Sequence, residues 1–315
     1  MKDFAVFWGC TIQARFPFLE KSTRIVFEEF KLPYREIDGF TCCPEKSLVN
    51  NVDRAMFVVT AARNVALADK HGLDVVSPCT GCVSNLASVK GELKSDPAKL
   101  GEVNALLNEI GHDFKGEANL MHLVPFFHDK VGALAIKQKI KRGFEGMKLA
   151  VHYGCHMIRP SHALRNDDPI TPVKFDNLIR TLGAESMEFD TKMMCCGQGL
   201  DRVDQHENAL HMARMKLNEL KAVGADALVL CCPSCFLQFD NNQAIMQRKG
   251  ERLGIPVIYF TELLGLAMGY GAEELGMKLH RVSVDGFIEK WESLAEPEAR
   301  SAAIAEGLNT AGPLI

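Results

Sequence analysis

Eleven cysteines, at positions 10, 42, 43, 79, 82, 155, 195, 196, 231, 232 and 235, are the residues of this chain best suited to do chemistry. The first five read C-x31-CC-x35-C-x2-C. From Cys155 the order recurs as C-x39-CC-x35-C-x2-C, provided that Cys232 and Cys235 form the last pair. The same 35-residue gap after each vicinal pair points to an internal duplication. The flanks agree: "FAVFWGC" pairs with "LAVHYGC", and "GFTCCPE" with "KMMCCGQ". In this register Cys231 takes the place of Pro78 and is the spare thiol of "LVLCCPSCFLQF".

Each half therefore offers five thiolates. Zinc closes its structural sites with four ligands, and adjacent side chains reach one small ion poorly. A multi-iron cluster has several irons to share among neighbouring cysteines, and thiolates are its usual ligands. The ferredoxin run CxxCxxCxxxCP is absent. The residues alone leave three readings open: clusters in both halves, a cluster in one and zinc in the other, or zinc and buried thiols only.

Holding two such sets requires two similar frames. Apolar runs near 3–8, 33–38 and 73–77 read as strands, and 17–31, 52–70 and 81–93 as helices. Strands near 148–153, 186–190 and 226–231, with helices near 173–182 and 202–223, repeat the order. "IPVIYF" and "TELLGLAMG" add a further strand and helix at 255–270. The predicted fold class is α/β: two pseudo-symmetric, Rossmann-like βαβαβα halves on mostly parallel sheets. Every cysteine group then follows a strand, at the carboxyl ends where such folds gather their sites. The expected division is 1–145, with 94–145 as a lysine-rich helical linker, then 146–284, then a helix and loose tail over 285–315.

Composition excludes little else. The 315 residues are 47% hydrophobic and 24% charged, with a net charge of -4, ordinary for globular domains and without the basic excess of a nucleic-acid binder. "MKDFAVFWGC" does not read as a signal peptide, and no apolar run reaches membrane-spanning length. A cytoplasmic protein is expected, where reduced thiols serve metals or redox chemistry. "GYGAEELG" ends a helix instead of opening one, so no flavin or nucleotide site is expected and electrons must come from another polypeptide.

Other polar residues have sharp and bland readings. His156, beside Cys155, suits proton transfer to a departing thiolate as a residue type, or a hydrogen bond to cluster sulfur. Arg159, Lys192 and Arg15 are candidates for binding an anionic substrate, against ordinary surface charge. His162 reads as part of a solvated face, His152 as a core histidine and Asn85 as a cap or turn residue.

The doubled cysteine pattern, with "HYGCH", "MCCGQG", "CPSCFLQFD" and "LLGLAMGYG", resembles the CCG-domain cysteine-rich family, which includes the B subunit of heterodisulfide reductase, over roughly residues 3–283. The resemblance implies two noncubane [4Fe-4S] clusters, one held by Cys10, Cys42, Cys43, Cys79 and Cys82, the other by Cys155, Cys195, Cys196, Cys232 and Cys235. It further implies a disulfide or thiol substrate between them. Electrons would come from two partner proteins, the ferredoxin-type C subunit and the flavoprotein A subunit of such complexes. Quinone-linked dehydrogenase subunits and sulfur-oxidation proteins share the pattern. "CTIQARFPF", "CCPEKSLVN" and "CCGQGLDRVD" depart from the glycine-rich runs expected of the methanogen version. Each lies beside a ligand, so a different substrate pocket or partner face is expected.

Overall fold

The fold was analysed in a computed structural model that describes residues 1–294. Strands β1 (Phe4–Val6), β2 (Tyr34–Arg35), β3 (Asp74–Ser77) and β4 (Leu120–His122) form one parallel sheet in the order β2-β1-β3-β4. Strands β5 (Lys148–His152), β6 (Glu185–Met187), β7 (Ala227–Leu230) and β8 (Val257–Tyr259) form a second, in the matching order β6-β5-β7-β8. Phe4 pairs with Asp74 as Leu149 pairs with Ala227, so the duplication extends to strand register. Of the central strands, "ALVL" is a continuous buried apolar run and "DVVS" is buried except at Asp74, because helices cover a parallel sheet on both faces.

One expectation needs correction. The stretch 94–145, read as a helical linker, supplies β4, the fourth strand of the first sheet, after a helix at Pro97–Glu109. It does in the first half what "IPVIYF" does in the second. With only three residues, "LMH" is too short to show the alternation that marks a strand. The helix at the end of the chain, Asp285–Ser293, is present, and the expected tail beyond it lies outside the described residues.

Local signals set the helix bounds around the site. Asp53 caps the helix Arg54–His71 by accepting from the Met56 amide at 2.9 Å, and Gly72 closes it in the left-handed conformation at φ 63°. The helix Thr80–Ser95 starts directly on Cys79, and the shorter Pro233–Phe236 on Cys232. Each CxxC therefore occupies a first helical turn, whose spacing brings residues three apart onto one face.

One hydrophobic core runs through both halves, with Phe27, Phe127, Phe175 and Phe260 fully buried in it. Burying each such ring contributes about 1.5–3 kcal/mol. The helices Pro17–Glu29 and Phe260–Ala267 pack together across the middle, where Ser22 Oγ meets Thr261 Oγ1 at 2.9 Å. Two reciprocal hydrogen bonds sit beside this seam. His122, ending β4, contacts the Cys231 carbonyl through Nε2 at 3.0 Å, and Tyr259, ending β8, donates its hydroxyl to the Pro78 carbonyl. In the repeat register these are one contact made twice: the last strand of each half holds the residue that precedes the other half's CxxC.

Candidate metal centre

In each sheet the chain turns one way from the first strand and the other way from the third, so the switch point lies between β1 and β3, and between β5 and β7. Crevices at the carboxyl side of such points are the usual ligand sites of open α/β sheets. Cys10 follows β1 and Cys79 and Cys82 follow β3; Cys155 follows β5 and Cys232 and Cys235 follow β7. The vicinal pairs arrive on the loops after β2 and β6. All ten line one cavity of about 440 Å³.

Within the first set, Cys10 and Cys42 Sγ atoms are 3.7 Å apart, and Asn85 Nδ2 reaches Cys43 Sγ at 3.5 Å. Within the second, Cys155 and Cys195 are 3.8 Å apart, and the Gly197 amide donates to Cys195 at 3.5 Å. Two thiolates bound at ~2.3 Å to one tetrahedral ion lie ~3.8 Å apart, so both pairs already have the spacing of co-ligands. Glycine makes this closeness possible. Gly9 and Gly154, at φ 69° and 74°, precede the first cysteine of each set, and a Cβ on Gly9 would stand 2.7 Å from Cys82 Sγ.

The thiols also share protons. Donation from Cys42 and Cys82 holds Cys43 well below the ordinary thiol range, and donation from Cys155 and Cys196 does the same to Cys195. Cys79 is pushed well up, first by donating to Cys232 across the seam. Cys232 falls well below its usual value as Cys235 and Cys79 donate to it. The two sets are thus coupled across the seam through Cys79 and Cys232. Deprotonating all ten without a cation would crowd like charges in a mostly buried space, whereas metal binding relieves that repulsion. The donor set, all sulfur and five to a half, fits iron–sulfur ligation.

Cys231 is fully buried, its thiol directed to the Tyr153 carbonyl at 3.8 Å, and it does not line the cavity. Cys231 thus stands apart from the ten cysteines of the cavity. His156 is half-buried on the cavity wall, its Nδ1 4.0 Å from where a Cβ on Gly81 of the opposite half would lie.

The candidate substrate cations are placed elsewhere. Lys192 is buried in ion pairs with Asp176 at 2.7 Å and Glu188 at 2.9 Å. Arg159 is exposed and donates to the Pro169 carbonyl, and His162 is exposed, while Arg15 lines a separate depression with Asp240 and Arg281. Asn85 is not a cap: it is buried in the second turn of its helix, against Cys43. His152 is a core residue, as expected, but also a neighbour of the second set. One of its ring nitrogens lies within 4.8 Å of Cys196 and Cys235 Sγ, and burial pushes its pKa well down.

Sequence reasoning did not single out Arg202, Lys46, Glu45 or Gln198, which line the cavity mouth. Arg202 reaches Ser234 Oγ at 3.5 Å and Glu45 at 4.0 Å. Their signal was present, since all four lie in the departing runs "CCPEKSLVN" and "CCGQGLDRVD".

The cysteine-rich CCG domain matches residues 4–87 and 149–240. The B subunit of the ferredoxin:CoB-CoM heterodisulfide reductase of Methanosarcina mazei is 35% identical over 292 residues, 92% of this chain and 97% of that one. The 8-methylmenaquinol:fumarate reductase membrane anchor subunit of Wolinella succinogenes is 31% identical over 88% of this chain and 95% of its own. A hypothetical protein from Helicobacter pylori has the same fold at TM-score 0.72 and 16% identity; the match covers 90% of this chain and 52% of that one. No helix among the described residues is long and apolar enough to cross a membrane. The chain belongs to the CCG cysteine-rich domain family and resembles the B subunit of heterodisulfide reductase across nearly its whole length.

Proposed function

We propose that this chain is the catalytic subunit of a heterodisulfide reductase-like complex, splitting or reversibly forming a disulfide between two noncubane [4Fe-4S] clusters. One observation carries the reading: both five-cysteine sets open onto the same cavity. Such clusters, when bound, supply one-electron redox chemistry and iron sites that accept a thiolate. Cys10, Cys42, Cys43, Cys79 and Cys82 would hold one, and Cys155, Cys195, Cys196, Cys232 and Cys235 the other. His156, which lines the cavity, would deliver a proton to a departing thiolate or remove one from an entering thiol. Arg202 and Lys46 favour a substrate with an anionic end. The substrate is either the coenzyme M–coenzyme B heterodisulfide or another disulfide or persulfide; oxidation of two thiols to a disulfide, its two electrons passing to the partner proteins and its two protons to solvent, is the same chemistry reversed and would suit a sulfur-oxidation complex acting on thiols or persulfides. Electrons would arrive in the cytoplasm from a flavoprotein, the A-type partner of such complexes, through a ferredoxin-type protein, the C-type partner.

The fumarate reductase relative favours a second reading, an electron-transfer subunit of a quinone-linked enzyme with no substrate of its own. Iron and acid-labile sulfide analysis of anaerobically purified protein, followed by electron paramagnetic resonance with added thiols, separates the two. Iron-rich protein whose oxidised signal changes with thiols supports the first. Signals that no thiol or disulfide perturbs support the second, and zinc without iron refutes both.

A further inference from the structure

Although the halves share one plan, they differ in what stands behind their cysteines. In the aligned flanks "FAVFWGC" and "LAVHYGC", His152 takes the position of Phe7. Counting back from the glycines that follow the helices Arg54–His71 and His206–Ala222, Lys216 takes the position of Asn64. Asn64 is neutral and braces the loop of the first vicinal pair, accepting from the Thr41 amide and donating to the Cys42 carbonyl. Lys216 braces the loop of the second pair with a buried cation, donating to the Thr191 and Lys192 carbonyls and contacting His152 Nδ1 at 3.2 Å.

That arrangement assigns the imidazole tautomer. A lysine ammonium has three N–H donors and no acceptor, and Lys216 has three partners. His152 Nδ1 must then accept, which leaves the ring hydrogen on Nε2. Nε2 is buried and has no hydrogen-bond partner among the described residues. On one side the ring meets Phe239 edge to face, and beside it lie the sulfurs of Cys196 and Cys235. Phe7 has no such donor to offer the first set.

We propose that His152, oriented by Lys216, turns its unpartnered Nε2–H toward the second cysteine set, where it would donate to sulfur of a bound centre and thereby make the two centres electronically unequal, the second having the higher reduction potential. A donor and a nearby cation both stabilise the added electron, and potentials of sulfur-ligated iron follow net charge and hydrogen bonds to sulfur. His152 is a positioning and tuning residue; it takes no part in the covalent chemistry. A step in potential between the centres gives one-electron transfers within the site a direction.

The inference rests on the cluster reading, and potentiometric titration of the anaerobically purified full chain, followed by electron paramagnetic resonance, tests it. Two waves are expected. His152→Phe, which installs the residue of the first half, should lower the upper wave by a tenfold change in its equilibrium, about 59 mV for one electron, and leave the lower wave in place. His152→Gln, which retains an amide N–H near the Nε2 position, should restore part of the shift. In wild-type protein labelled with [15N]histidine, the upper centre alone should show a weak nitrogen coupling. Protein without iron and sulfide overturns the cluster reading itself. Iron-replete protein whose waves do not respond to His152→Phe, or whose upper centre shows no nitrogen coupling, overturns only this inference. A coupling strong enough for direct ligation also overturns it.

Discussion

The glycines ahead of each first cysteine offer a controlled comparison. Gly9 and Gly154 both have positive φ, at 69° and 74°, and placing alanine there costs about 1–3 kcal/mol of backbone strain at either site. They differ in the space behind them. A Cβ on Gly9 would meet Cys82 Sγ at 2.7 Å, well inside the ~3.5–4.0 Å of an ordinary contact. A Cβ on Gly154 would stand 3.6 Å from both Cys235 Sγ and Thr80 Oγ1, which is unstrained. Overpacking of the first kind costs about 1–3 kcal/mol, so Gly9→Ala should be the more damaging by that difference. Because the displaced atom is a proposed ligand, the clash should appear as lost metal as well as lost stability. Iron and sulfide per chain, together with denaturant unfolding, read both. Gly9→Ala is expected to lose iron from the first centre and keep the second, while Gly154→Ala loses stability with most iron retained. Equal iron loss in the two variants would refute the reasoning, since backbone strain alone would then explain both.

Further outcomes follow from the same geometry. Cys231→Ala should retain the iron of the wild-type chain, whereas Cys232→Ala should lose that of the second centre, as metal analysis of the pair will show. Lys192→Met leaves Asp176 buried without its cation, and should cost about 3–5 kcal/mol in denaturant unfolding with unchanged binding of anionic thiols. His122 is buried with its pKa pushed down to about 4, by desolvation first. The unfolded chain therefore binds the extra proton between pH ~6.5 and ~4, and this contribution to stability is intact above that window and lost as pH falls through it. Chemical denaturation at pH 7 and pH 5 should differ by about 2 kcal/mol from this group, and His122→Gln should remove that part of the difference.

The ten cysteines of the cavity were legible because the duplication preserved their spacing: the repeated 35-residue gap chose Cys232 over Cys231 without any coordinates. Strands β1, β3, β5 and β7 were legible as buried apolar runs. Strand β4 was not, since three residues followed at once by "LVPFF" look like part of a helix. Charge was the least readable feature. Lys192 and Arg159 stand near cysteines in the chain, yet one turns inward to Asp176 and the other outward to solvent. Arg202 sits beyond the vicinal pair on a short helix, Gln198–Asp201, and the turn after it, whose facing no periodicity could reveal.

The reciprocal contacts at the seam also bear on the order of biosynthesis. The carbonyl of Pro78, which positions the start of Cys79-x-x-Cys82, is held by a hydroxyl that leaves the ribosome 181 residues later. The thiols of the first half are thus all synthesised long before the contact that sets their last corner exists. An isolated amino-terminal half would have its sheet but an unsupported CxxC. In a duplicated chain of this kind each half is the other's finishing tool, and support of the first CxxC waits for completion of β8.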